Sequence, residues 1–217
     1  MHRLACLALL LSPAAPAFAR EPAIVRVRLD TTAGPITIAL DARHAPRTVE
    51  NFLAYVDDGR FDGVTFYRAA RSKRVPGDGF IQAGIRTDAR RILPPFPLET
   101  TTMTGIRHTN GAISMARAQD PKSAGGNFVL LSGPAPWMDA QPGAPGYAAF
   151  GHVTRGMALV RRILAMPTGS GGFEAFKGQM LLKPVIVRRA VRLDGTPKPT
   201  GLVKSWLVKR EPDAKRR

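Results

Sequence analysis

Residues Ile24 to Asp30 alternate strictly, with Val25, Val27 and Leu29 set against Ile24, Arg26, Arg28 and Asp30. No helix can bury that pattern, because successive side chains reach opposite faces only in a strand. Ala33-Gly34-Pro35 reads as a turn. Ile36, Ile38 and Leu40 then resume the alternation. The two stretches predict an antiparallel hairpin whose linker is not of the two-residue type.

The period changes over Arg43 to Asp58. Val49, Phe52, Leu53 and Val56 fall at i, i+3, i+4 and i+7, an amphipathic helix with Pro46 in its first turn and Gly59 placed to close it. Short strands are expected at Gly63 to Ala69, Phe80 to Ala83, Gly111 to Ala116, Asn127 to Leu131, Tyr147 to Val153 and Met180 to Leu193. A second helix is expected with Met157, Val160, Arg161 and Leu164 along its stripe. Gly 21 and Pro 19 punctuate the chain with turns rather than long helices. The count is about eight strands and two helices. The strands do not alternate with helices as a parallel sheet would require. The fold class expected is therefore mainly β: a closed eight-stranded antiparallel barrel capped by two helices.

The ends read differently from this body. Met1-His2-Arg3 is basic, Leu4 to Leu11 is apolar, and Ala17-Phe18-Ala19 is a small-x-small cleavage site, so residues 1–19 read as a secretory signal. The apolar run is too short to span a bilayer, and no membrane span is expected after cleavage. The one cysteine, Cys6, would leave with the signal, so thiolate metal sites and thiol nucleophiles are excluded from the mature chain. Residues 20–193 form the expected barrel domain, and 194–217 a basic tail. Lys and Arg number 32 against 16 acids, a net charge of +16. Such a charge favours acidic partners in general. Export argues against nucleic acid as the target, and none is expected.

Signatures of hydrolases and nucleotide-binding enzymes are missing: there is no H-E-x-x-H, no G-x-S-x-G and no phosphate loop. Several strands nevertheless carry residues unusual for a plain core. Phe66-Tyr67-Arg68 places a cation beside two aromatics, and alternation would set Phe66 and Arg68 on one face. Gly79-Phe80-Ile81-Gln82-Ala83-Gly84 carries an amide inside an apolar strand. Gly125-Gly126-Asn127-Phe128-Val129 opens another strand with an amide.

Taken in order, these segments resemble the cyclophilin-type peptidyl-prolyl cis-trans isomerases. The resemblance covers residues 25–192 and rests on Ala45-Pro46-x-Thr48-Val49-x-Asn51-Phe52, Phe66-Tyr67-Arg68, Phe80-Ile81-Gln82, Gly111-x-Ile113-Ser114-Met115-Ala116-Arg117, Ser123-Ala124-Gly125-Gly126-Asn127-Phe128 and Tyr147-Ala148-x-Phe150-Gly151. It implies that Arg68 is the catalytic arginine and Gln82 its strand glutamine. It implies an apolar proline pocket of Phe80, Met115, Val129 and Met138. Ala116, Arg117 and Ala118 would pair with the bound peptide, Asn127 would supply a second amide, and Trp137 and Tyr147 would line the site. The implied partners are proline-containing segments of unfolded or partly folded exported proteins, bound by a monomer without any cofactor or metal. The signal and the absence of disulfides, not the resemblance, point to the periplasm, with release from the cell as the alternative. The chain departs from the family where Gly79 stands for a phenylalanine, Val129 for a phenylalanine and Asn127 for a glutamine. These changes predict a wider, weaker pocket and motivate an alternative: a proline-peptide-binding, chaperone-like barrel with little or no isomerase activity.

Overall fold

The computed structural model describes residues 22–207. The expected signal over 1–19, Cys6 and residues 208–217 lie outside that range. The hairpin forms from β1 (Ile24–Thr31) and β2 (Gly34–Asp41), with Val25, Val27, Leu29, Ile36, Ile38 and Leu40 buried. Its linker is shorter than expected. Thr31 pairs directly with Gly34, so only Thr32 and Ala33 turn the chain, and Pro35 lies within β2 opposite Asp30. Gly34 makes this possible with a φ of +125°, and the Thr31 hydroxyl donates to its carbonyl oxygen at 2.5 Å.

Helix α1 (Pro46–Asp57) buries Val49, Phe52, Leu53 and Val56, the predicted stripe. Its N-terminal turn is capped from afar. The Glu99 carboxylate accepts from the Arg47 N–H at 3.2 Å, and from the Thr48 N–H and hydroxyl at 2.7 Å each. Asp58 then Gly59, at φ +71°, end the helix. The chain continues through β3 (Thr65–Arg71), β4 (Gly79–Gly84), the single turn α2 (Thr101–Thr104), β5 (Ala112–Met115), β6 (Asn127–Ser132) and β7 (Ala149–Arg155). Helix α3 (Met157–Ala165), the two-residue β8 (Thr168–Gly169) and the long β9 (Met180–Arg192) follow. In α3 the buried residues are Leu159, Val160, Ile163 and Leu164. Val160 and Leu164 are buried as expected and Met157 packs partly against the core, but Arg161 is exposed, and Leu159 and Ile163 complete the stripe instead.

All the pairings are antiparallel. The order β1-β2-β7-β5-β6-β4-β3-β9 closes through β9 onto β1, giving an eight-stranded barrel; β8 is an extra pairing on β9. Closure leaves the barrel without a free edge, which is the main hazard of an all-β fold. Inside it, Phe52 of α1 packs on Phe61, Phe128 and Phe150 with centroids 5.0, 5.3 and 5.4 Å away, and Phe66 meets Phe128 at 6.1 Å. Beyond β9 the chain folds back. Asp194 pairs with Arg26, the Thr200 N–H and hydroxyl bond to Asp58, and the Trp206 ring lies 4.6 Å from the Arg60 guanidinium.

Candidate active site

The site begins with an irregularity in β3. Along the β3–β4 ladder, Phe66 faces Ala83, but Arg68 faces Gln82, the very next residue. Tyr67 is therefore an extra residue, a bulge that reverses the phase of the strand. This corrects the expectation of a shared face: Phe66 is fully buried in the barrel interior, whereas Arg68 stands half-buried on the outer side.

The ladders then set one row across the sheet. Gln82 on β4 lies between Arg68 on β3 and Val129 on β6. Neighbouring strands are about 4.8 Å apart, so side chains in such a row touch. The Arg68 Nη1 donates to Gln82 Oε1 at 2.9 Å, and its Nε donates to Gln179 Oε1 at 2.8 Å. The guanidinium carbon sits 5.0 Å from the Phe80 ring centre and 4.2 Å from that of Phe176. Burial draws the Arg68 pKa down from its ordinary value, an effect opposed by Tyr67 and Tyr147. Arginine nevertheless stays protonated in proteins. Burial also pushes the Tyr67 phenol up to about 12, so it is a neutral donor at any ordinary pH. Its hydroxyl lies 3.4 Å from Asn127 Oδ1.

Beside this row lies a second apolar cluster, separate from the barrel interior. Ala112, Val129, Leu131, Ala135 and Met138 are buried in it, and Phe80, Ala116 and Tyr147 pack against it while remaining partly exposed. Phe80, Val129, Met138, Ala116 and Tyr147 were all expected in the site, and the structure brings them together. Met115 is corrected: it is 1% exposed and packs inside the barrel. Alternation explains this, because Ile113 and Met115 share the inward face of β5 while Ala112 belongs to the outer cluster. Trp137, in the turn Pro136–Met138, is 63% exposed at the margin.

The polar residues hold loops. Arg117 donates to the Gly146 carbonyl from Nε and Nη2, at 2.9 and 2.7 Å, and to the Ala118 and Gln119 carbonyls from Nη1, while stacking 4.8 Å from the Tyr147 ring. Ala118 is exposed, and its N–H donates to the Ser123 hydroxyl at 2.9 Å. The Asn127 amide is engaged on both sides: Oδ1 accepts from the Arg86 N–H at 2.8 Å, and Nδ2 donates to the Arg86 carbonyl at 2.9 Å. Asn127 thus clamps the chain leaving β4. Behind the pocket, His108 Nδ1 lies 2.7 Å from Asp139 and Nε2 lies 2.8 Å from the Ser114 hydroxyl, which is also 3.1 Å from the Ala148 carbonyl. Ser114 is fully buried, so this Ser-His-Asp set is a brace rather than a nucleophile.

Sequence reasoning missed Gln179 and Phe176. They lie more than a hundred positions from Arg68, and no local pattern marks them. Tyr67 was noted only as an aromatic neighbour.

A sequence profile described as cyclophilin type peptidyl-prolyl cis-trans isomerase/CLD matches residues 25–190. This chain belongs to that family. The cyclophilin domain is 36% identical over 147 residues to peptidyl-prolyl cis-trans isomerase cyp18 of Streptomyces antibioticus, covering 66% of this chain and 86% of that protein. It is 34% identical over 157 residues to peptidyl-prolyl cis-trans isomerase A of Dickeya dadantii, covering 72% and 80%. Among solved structures, a cyclophilin of Cryptosporidium parvum crystallised with the dipeptide Ala-Pro superposes with a TM-score of 0.62 at 20% identity, covering 78% of this chain and 99% of that one. That likeness bears on the fold alone. Among the described residues of this cyclophilin, no group of three or more His, Cys, Asp or Glu could hold a metal ion. No described helix is long and apolar enough to cross a membrane.

Proposed function

We propose that this cyclophilin is an exported peptidyl-prolyl cis-trans isomerase, acting in the periplasm on X–Pro bonds of other exported proteins during their folding. The observation that carries the reading is the row Arg68–Gln82–Val129, which sets an oriented guanidinium beside the half-open cluster of Phe80, Val129, Met138, Ala116 and Tyr147.

An X–Pro bond rotates over a barrier because C–N resonance must be lost at the twisted state. As it is lost, the prolyl nitrogen becomes pyramidal and gains a lone pair. The pocket would hold the pyrrolidine ring while the chain preceding it turns. A guanidinium donating to that nitrogen binds the twisted form better than the planar one, which lowers the barrier. Uncatalysed rotation takes tens of seconds, slow enough to limit folding. Two departures from the family have uses within this fold. Gly79 has a φ of +142°, and Asn127 holds Arg86. Val129 remains the smaller lining residue, and it favours the second reading, a peptide-binding barrel with little turnover.

The test is a proline-limited refolding assay. The mature protein should speed the slow phase, and Arg68→Ala should lower that rate by about a hundredfold, the size expected for removing a charged transition-state donor. Equal rates for the two proteins would defeat the reading. Peptide affinity without acceleration would select the holding role. Export is tested separately: cell fractionation with N-terminal sequencing should find the protein in the periplasm beginning at Arg20.

A further inference from the structure

The ladder between β3 and β9 jumps. Phe66 faces Val185, but Arg68 faces Met180, so residues 181–184 leave the ladder. The jump brings the segment before β9 against the active site, where the Gln179 carbonyl accepts from the Ala69 N–H at 2.9 Å. The Gln179 side chain then reaches Arg68 Nε, and Phe176, three residues earlier, covers the guanidinium at 4.2 Å.

We propose that Gln179 is a positioning residue for Arg68, fixing the guanidinium together with Gln82 and with Phe176 as the second aromatic face. The inference rests on the isomerase reading for its kinetic consequence, though not for its geometry. A guanidinium has five N–H donors in one plane. A single acceptor, Gln82, would leave that plane free to swing about the Nη1 contact. A second acceptor on Nε, at another edge of the fork, removes that freedom. Phe80 and Phe176 lie close enough to limit tilting of the plane. Among the described residues no protein acceptor engages Nη2, so its hydrogens remain for a substrate nitrogen. Holding a donor in its productive orientation before the substrate arrives raises turnover more than binding. The Gln179 oxygen is suited to this because it is neutral. It orients the cation without forming an ion pair that would weaken donation elsewhere.

Gln179→Met keeps the length of the side chain and removes the acceptor. It should lower kcat/KM about tenfold, the scale of one lost hydrogen bond to a charged group, with the fall in kcat and KM changed less than about twofold. In an Arg68→Ala background the same substitution should change nothing further. Gln179→Glu restores an oxygen at the same reach and should recover part of the loss. Independently of activity, the Arg68 Nε–H signal in nitrogen-15 NMR should exchange slowly with water in the parent and several-fold faster in Gln179→Met. Phe176→Leu, at an exposed side chain, should also speed that exchange. Unchanged kcat/KM with unchanged Nε–H exchange in Gln179→Met overturns the inference. So does an equal loss in the presence and absence of Arg68. If the parent protein proves inactive, the isomerase reading fails, while the exchange measurement still decides whether Gln179 fixes Arg68.

Discussion

A Cβ at Gly79 would sit 2.2 Å from the Ala70 carbonyl oxygen, in a backbone conformation that side chains rarely adopt. The glycine lets β4 start hard against the end of β3, and so sets the register in which Gln82 faces Arg68. Gly79→Ala should therefore destabilise the domain by about 1–3 kcal/mol, read from the urea midpoint, through strain and steric conflict together. A midpoint equal to the parent's would show that the strand start can shift freely. The same residue illustrates what a comparison of side chains alone misses. Read against the family pattern, Gly79 is a missing phenylalanine; in the fold it is a backbone requirement. Asn127 is similar, since its amide is spent on Arg86.

Between elements, a few buried polar groups carry long-range connections. Glu99 supplies the cap that the N-terminal turn of α1 lacks locally. Glu99→Ala leaves the Arg47 and Thr48 donors unpaired, and should cost about 1–3 kcal/mol in chemical unfolding. His108 joins β5 to the loop carrying Met138 and Tyr147. Burial lowers its pKa below the ordinary 6.5, and this outweighs the opposing pull of Asp139. Below 6.5 the unfolded chain takes up a proton that the native protein resists. This contribution to stability is therefore full above about pH 6.5 and is lost as the pH falls through that value towards the folded-state pKa. Urea midpoints should drop between pH 7.5 and 5.5, and by less in His108→Gln. An identical drop in both proteins would remove His108 as the cause. Such connections leave no periodic trace. The alternation of β1 and β2 and the stripe of α1 were readable because neighbours in sequence share one face, whereas the Tyr67 bulge inserts a phase change that periodicity cannot register.

On the scale of the whole molecule, the segment after β9 behaves as a strap. Thr200 bonds Asp58, and Trp206 covers Arg60, whose Nε donates to Asp58 at 2.8 Å. Arg60 is only 2% exposed. Burial alone would raise the Asp58 carboxyl, but hydrogen bonds from Thr200 and Arg60 hold it below the usual carboxylate range. A chain ending at Leu193 loses these partners and leaves the pair half-satisfied. It should unfold at lower urea, by about 2–4 kcal/mol. No described bond of the strap reaches Arg68, Gln82 or Phe80, so activity per folded molecule should stay the same. Unchanged stability on truncation would mean that the strap merely rests on the surface.

The residue order alone determined that this chain would close a β-barrel under two helices. Period-two and period-3.6 patterns state which face of each element must leave water, and strands that do not alternate with helices have few ways to satisfy them other than an antiparallel barrel. It also marked Arg68, Gln82 and Phe80, because a cation and an amide in apolar strands stand out locally. Only the tertiary structure decided which way Arg68 faces, that Met115 turns inward, and that Gln179 and Phe176 join the site. Those outcomes depend on a bulge and on ladder jumps, which are settled by packing between strands far apart in the chain.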